Sequence, residues 1–132
     1  MTDTTNNPVS NDALALLARV LLAAIFLLSG LAKLADPAGT AAYVASSGLP
    51  APALGAWGAA LLETLGGLAL ITGYRARPAA VALALFSVVA ALFFHNNLAD
   101  QNQMIHFMKN FALAGGLLQL AITGPGRLAI GR

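Results

Sequence analysis

The chain has 132 residues, 58% of them hydrophobic and only 9% charged, with seven basic and five acidic side chains. A soluble domain carries about 25% charged residues. A mean hydropathy of +0.77 leaves too little polar surface to cover a soluble fold of this size, so that class is excluded. The absence of cysteine excludes disulfides, thiolate metal sites and thiol redox chemistry by the chain itself. A net charge of +2, with no basic run interleaved with aromatics, argues against nucleic acid as a partner. What remains is an all-α membrane protein of one domain, in contact with the lipid bilayer.

Residues 1–12 are polar, include Asn6, Asn7 and Pro8, and show no hydrophobic period. They are expected to form a disordered tail, ending where Asn11 or Asp12 caps the first helix. The membrane domain then covers 13–124, with four spans at about 14–34, 53–72, 78–95 and 104–123. Each is close to the ~20 residues that cross a hydrocarbon core of ~30 Å. A cleaved signal peptide is the rival reading of the first span. The preceding tail lacks basic residues and the apolar run is too long for that reading.

Asp36-Pro37 and Leu49-Pro50 bracket the first connection. Its middle, Gly39 to Ala45, suits a short interfacial helix presenting Tyr43 to the membrane surface. Gly73 to Pro78 is too short for anything but a turn between antiparallel neighbours. Asn96 to Gln103 reads as a polar loop or capped turn, and Gly124-Pro125-Gly126 stops the fourth span before a short tail, 125–132. With four crossings, Arg19, Arg75, Arg77, Arg127 and Arg132 share one side, and only Lys33 and Lys109 lie on the other. The positive-inside rule places both termini in the cytoplasm, as for an integral protein of a bacterial inner membrane. Gly55, Gly58, Gly66, Gly67, Gly115 and Gly116 fit close helix contacts within a four-helix bundle, and exposed small-residue faces fit a homodimer.

Polar side chains collect in the outer half. Ser29 and Lys33 are four apart on the first span, and Glu63 lies ~15 Å into the second. His95 ends the third, and Gln103, His106, Lys109 and Asn110 open the fourth on one broad face. An unpaired carboxylate near the bilayer centre costs roughly 2.5–3.5 kcal/mol on insertion scales. Glu63 must therefore face the interior and be paired or protonated, with Lys33, Lys109, His95 and His106 as its available partners. Pairing for helix register alone is the simpler role, and ligand or proton handling is the functional one. His95 and His106, taken with Asp100 or Glu63, match no metal-binding spacing, so no metal is expected. Lys109 could also snorkel to the outer interface. Phe93, Phe94 and the stretch His106 to Asn110 offer ring faces and hydrogen-bond donors. That combination suits a ring with two carbonyls, such as a quinone head, and equally a lipid headgroup.

Several ordered strings resemble the DoxX-like family of small four-span membrane proteins. They are Phe26 through Lys33 to Asp36-Pro37, then Gly48-Leu49-Pro50; Glu63 through Gly66-Gly67, then Gly73 to Arg77; and His95, then His106 to Asn110 with Gly115-Gly116. The resemblance runs from Leu14 to Thr123. It implies kinship with the small subunit of thiosulfate:quinone oxidoreductase and with members of membrane oxidoreductase complexes in oxidative-stress defence. It marks Lys33, Glu63, His95, Lys109 and Asn110 as a shared polar site. The expectation is a redox-associated subunit with a quinone-like or small-ligand site at Lys33, Glu63, His95, His106, Lys109 and Asn110. No cofactor is held within the chain, and a partner oxidoreductase supplies or accepts electrons. The alternatives are a non-enzymatic scaffold for partners or lipids and a small proton-coupled carrier.

Overall fold

The computed structural model describes residues 8–131. Five helices follow in chain order: α1 (Pro8–Ala35), α2 (Pro37–Ser46), α3 (Pro52–Thr72), α4 (Ala76–Phe94) and α5 (Gln101–Thr123). All but α2 are long and apolar enough to cross a membrane, and no strand occurs among the described residues. This is the all-α bundle of four spans that the composition requires.

The helix ends differ from expectation for local reasons. α1 starts at Pro8, where a missing backbone N–H costs nothing in a first helical turn. Asp12 therefore lies inside the helix, and its Oδ1 accepts the Arg127 backbone N–H at 3.1 Å. The disordered tail is corrected to helix over 8–12, and residues 1–7 lie outside the described residues. At 28 residues α1 is ~42 Å long, more than one hydrocarbon thickness. α2 matches the expected interfacial helix, capped by Asp36, whose Oδ1 accepts from Gly39 N–H at 3.0 Å. α4 begins two residues before Pro78, because Gly73, at φ 80°, turns the chain at once. α5 begins three residues before Met104, because the Asp100 carboxylate caps Asn102 N–H at 2.9 Å.

Neighbours pack in the order α1, α3, α4, α5, with α2 laid against α3; α1 and α5 barely touch, so the ring is loose on that side. α1 and α3 approach closely where side chains are absent. A Cβ on Gly67 would sit 2.7 Å from Leu27 Cγ, and one on Gly30 would sit 2.7 Å from the Thr64 backbone nitrogen. Gly58 and Gly115 face open space instead. The buried cluster of Ala23, Phe26, Leu70, Ala76, Ala80, Leu83, Ala84, Ala114, Leu117 and Leu120 fills the half of the bundle toward the α3–α4 turn.

Arg19 sits in that packed half. The sequence groups it with the arginines of one side, and in the fold it is fully buried. Its Nη1 donates to the Leu70 and Ile71 carbonyls at 3.1 and 3.0 Å, and its Nη2 donates to the Leu128 carbonyl. The last carbonyls of α3 have no partner within the helix, and the guanidinium fork supplies one. Ile130 N–H adds a bond to Thr72 O at 2.8 Å. The segment after Pro125 is thus stitched to the ends of α1 and α3. Both described ends of the chain consequently lie on one side of the bundle.

Candidate functional site

The outer half is built differently. Lys33, in the last turn of α1, donates from Nζ to the Ser29 Oγ one turn back, at 2.7 Å. The same ammonium reaches Glu63 Oε2 of α3 at 2.8 Å. Gly30 makes this reach short: a Cβ there would lie 3.1 Å from Glu63 Cβ, so the two backbones meet beside the pair. The Glu63 side chain is 5% exposed and that of Lys33 26%. The carboxylate is thus enclosed while the ammonium opens onto a hollow. Thr64 Oγ1, the next residue along, is buried with no hydrogen-bond partner.

That hollow measures about 370 Å³ and is bounded by all five helices. α1 contributes Phe26, Ser29 and Lys33, α3 contributes Ala59 and Glu63, α4 contributes Phe86 and Phe94, and α5 contributes Lys109, Asn110 and Leu113. α2 lies alongside with Tyr43 and Val44. Tyr43 stacks on Phe94 with centroids 5.1 Å apart and planes 19° apart, joining the interfacial helix to the end of α4. The lining is mostly apolar and aromatic, with a few converging polar groups, the usual composition of a small-molecule site.

Five of the six candidate residues, Lys33, Glu63, His95, Lys109 and Asn110, line this cavity; His106 does not. Asn110 Nδ2 donates to the Ser87 carbonyl at 3.1 Å. Ser87 sends its own hydroxyl back to Leu83 O at 2.8 Å. His95 Nδ1 lies 3.1 Å from Gln103 Oε1, and its ring stacks on His106 at 5.0 Å. Lys109 Nζ lies 3.2 Å from His106 Nδ1; an ammonium only donates, so that ring nitrogen accepts. His106 therefore touches the site through His95 and Lys109, from an exposed position on α5.

The two phenylalanines expected to cradle a ring separate. Phe94 lines the cavity, and Phe93 is 46% exposed on the outer surface. Phe107 pairs with Phe111 at 4.8 Å, away from the lining. Phe26, Phe86 and Tyr43 also wall the cavity, which the sequence does not signal. Tyr43 and Phe94 are 51 positions apart, and no local period links them. Among the described residues no three His, Asp or Glu side chains converge to hold a metal.

The family model described as DoxX matches residues 14–96. Inner membrane protein YqjF of Escherichia coli (strain K12) is 40% identical over 121 residues, 92% of each chain. Inner membrane protein YphA of the same organism is 36% identical over 128 residues, 93% of this chain and 91% of the relative. No solved structure matches significantly. The chain belongs to the DoxX family of integral membrane proteins.

Proposed function

We propose that the outer cavity binds a lipid-soluble, quinone-like ring and that the protein works as a membrane subunit of a redox system. One observation carries this reading: the Lys33–Glu63 pair is held inside the bundle yet borders a cavity of about 370 Å³ with aromatic walls. A pair needed only for helix register gains nothing from an adjoining hollow. Such a volume lies within the roughly 300–1,000 Å³ of small-molecule pockets.

The residues divide the work by chemistry. Phe26, Phe86 and Phe94 offer ring faces, while the ammonium groups of Lys33 and Lys109 and the amide of Asn110 offer donors for two carbonyl oxygens. Two-electron reduction of a quinone consumes two protons, and the linked Lys33–Glu63–Ser29 group is the proton-exchanging group at hand. The electrons come from a partner oxidoreductase, because no haem- or flavin-binding motif and no cysteine occurs in the sequence. The bacterial inner membrane, where the two relatives reside, is the compartment this reading requires.

The test is thermal unfolding of the purified protein in detergent with and without a short-chain ubiquinone, for the wild type and Glu63→Gln. The reading expects a quinone-dependent rise that the variant loses. An equal response of the two proteins, or none in either, rejects it. A scaffolding role is the second reading. It is favoured by Gly58 and Gly115, which face open space on the helix surface where a partner helix could approach closely; recovery of a stoichiometric partner with no ligand response would select it.

A further inference from the structure

The arginine-bearing end of the bundle carries a second hollow that the quinone reading does not use. It is a groove of about 690 Å³ between the α3–α4 turn and the C-terminal segment, bordered by Tyr74, Arg75, Arg77, Thr123, Pro125 and Arg127. Among the described residues the one ion pair is Lys33–Glu63, in the other half of the bundle, so none of these three guanidinium groups is ion-paired with a described carboxylate. Asp12 reaches this end, where its Oδ1 accepts the Arg127 backbone N–H, which leaves one described carboxylate near three guanidinium groups. Arg75 lies over the Tyr74 ring, 5.7 Å from its centroid. Arg77 is laid against Gly124, where a Cβ would come within 2.7 Å of Nη2. Two helices start at this level and two end there. Their dipoles offset one another, and the arginines set the sign of the groove.

An apolar cleft leads into the same place. It measures about 290 Å³ and runs between α3 and α4 along Leu61, Leu62, Leu65, Ala69 and Ala79. Arg75 and Pro78 border both the cleft and the groove. From Leu61 to Ala69 the cleft follows α3 for ~12 Å along the membrane normal. A site for a soluble anion needs no apolar channel opening toward lipid, and a site for an acyl chain needs no arginines.

We propose that groove and cleft together bind one anionic phospholipid, its phosphate among Arg75, Arg77 and Arg127 and an acyl chain along the α3–α4 cleft. Guanidinium groups meet phosphate oxygens in paired, charge-assisted hydrogen bonds, and basic pockets between spans on the cytoplasmic side suit acidic headgroups. The charge bias of the sequence assigns this end to that side. The site is independent of the outer cavity.

The experiment titrates the purified full-length protein, in a neutral detergent, with dioleoyl phosphatidylglycerol, dioleoyl phosphatidylcholine or inorganic phosphate. Bound lipid is counted by native mass spectrometry and melting temperature is read in parallel. The expected result is retention of one phosphatidylglycerol with a rise in melting temperature, and neither effect from phosphatidylcholine or phosphate. Affinity should fall roughly fivefold per arginine changed to glutamine, on the order of a hundredfold for Arg75→Gln, Arg77→Gln and Arg127→Gln together. Leu65→Trp, which fills the cleft and leaves every arginine in place, should also weaken retention. It serves as the check if the triple variant does not fold. Equal retention of phosphatidylcholine overturns the proposal, and so does undiminished retention by the folded triple variant or by Leu65→Trp. An equal shift from inorganic phosphate removes the acyl chain from it. Stabilisation by a soluble acidic peptide as large as that by the lipid would assign the groove to a protein partner and overturn it too.

Discussion

The two halves of the bundle treat buried charge in opposite ways. Toward the α3–α4 turn, Arg19 is fully enclosed among close-packed side chains and its Nη groups are bonded to three backbone carbonyls. In the outer half, the Lys33 ammonium donates to both Glu63 and Ser29, and the pair borders open volume. A guanidinium committed to carbonyls has no freedom to meet a ligand, whereas an ammonium–carboxylate pair beside a cavity stays within reach of one. On the proposed reading, the contrast separates a charge that holds the fold from charges that meet a ligand.

The largest effect is expected at Arg19. Arg19→Leu leaves the carbonyls of Leu70, Ile71 and Leu128 without that donor and should cost about 3–5 kcal/mol. Thermal unfolding in detergent would register the loss, and limited proteolysis should show earlier cleavage after Thr123. Next comes Glu63→Ala, which strands Lys33 inside the bundle. Because that ammonium keeps partial access to the hollow, the cost should be nearer 2 kcal/mol. Lys33→Met combined with Glu63→Leu should recover most of this stability while abolishing quinone binding. A double variant that stayed as unstable as Glu63→Ala would mean the pair serves the fold as Arg19 does, and the contrast would fail.

Smaller effects sharpen the packing side of the comparison. Gly67→Ala drives a methyl against Leu27 and should cost about 1–3 kcal/mol. Gly115→Ala meets nothing within 4 Å and should be neutral or stabilising by up to ~1 kcal/mol through helix propensity. Unfolding midpoints of the two variants, measured side by side, distinguish them. Last, Lys109→Ala should leave the melting temperature unchanged and weaken short-chain quinone binding by roughly tenfold or less.

Composition and hydrophobic runs carried the architecture, because bilayer thickness imposes element length with little tolerance. Helix caps were less legible. Asn96 to Gln103 reads equally as a loop or a capped turn, and only the bond of Asp100 to Asn102 N–H reveals why α5 starts early. The candidate site was half legible. Glu63 and Lys33 stand out because charge in an apolar run demands a partner, and spacing put Ser29 beside Lys33. The aromatic walls and the Tyr43–Phe94 stack depend on contacts between distant segments, which no period encodes. The burial of Arg19 was illegible for the same reason: its acceptors lie 51 to 109 positions away.

The most direct measurement is photolabelling with a short-chain azidoquinone in detergent, followed by peptide mapping of the modified residues. The account predicts labels between Phe26 and Lys33 on α1 and between Lys109 and Leu113 on α5, suppressed by excess unlabelled quinone. Labels confined to the arginine-bearing end, or labels that excess quinone does not displace, would contradict it.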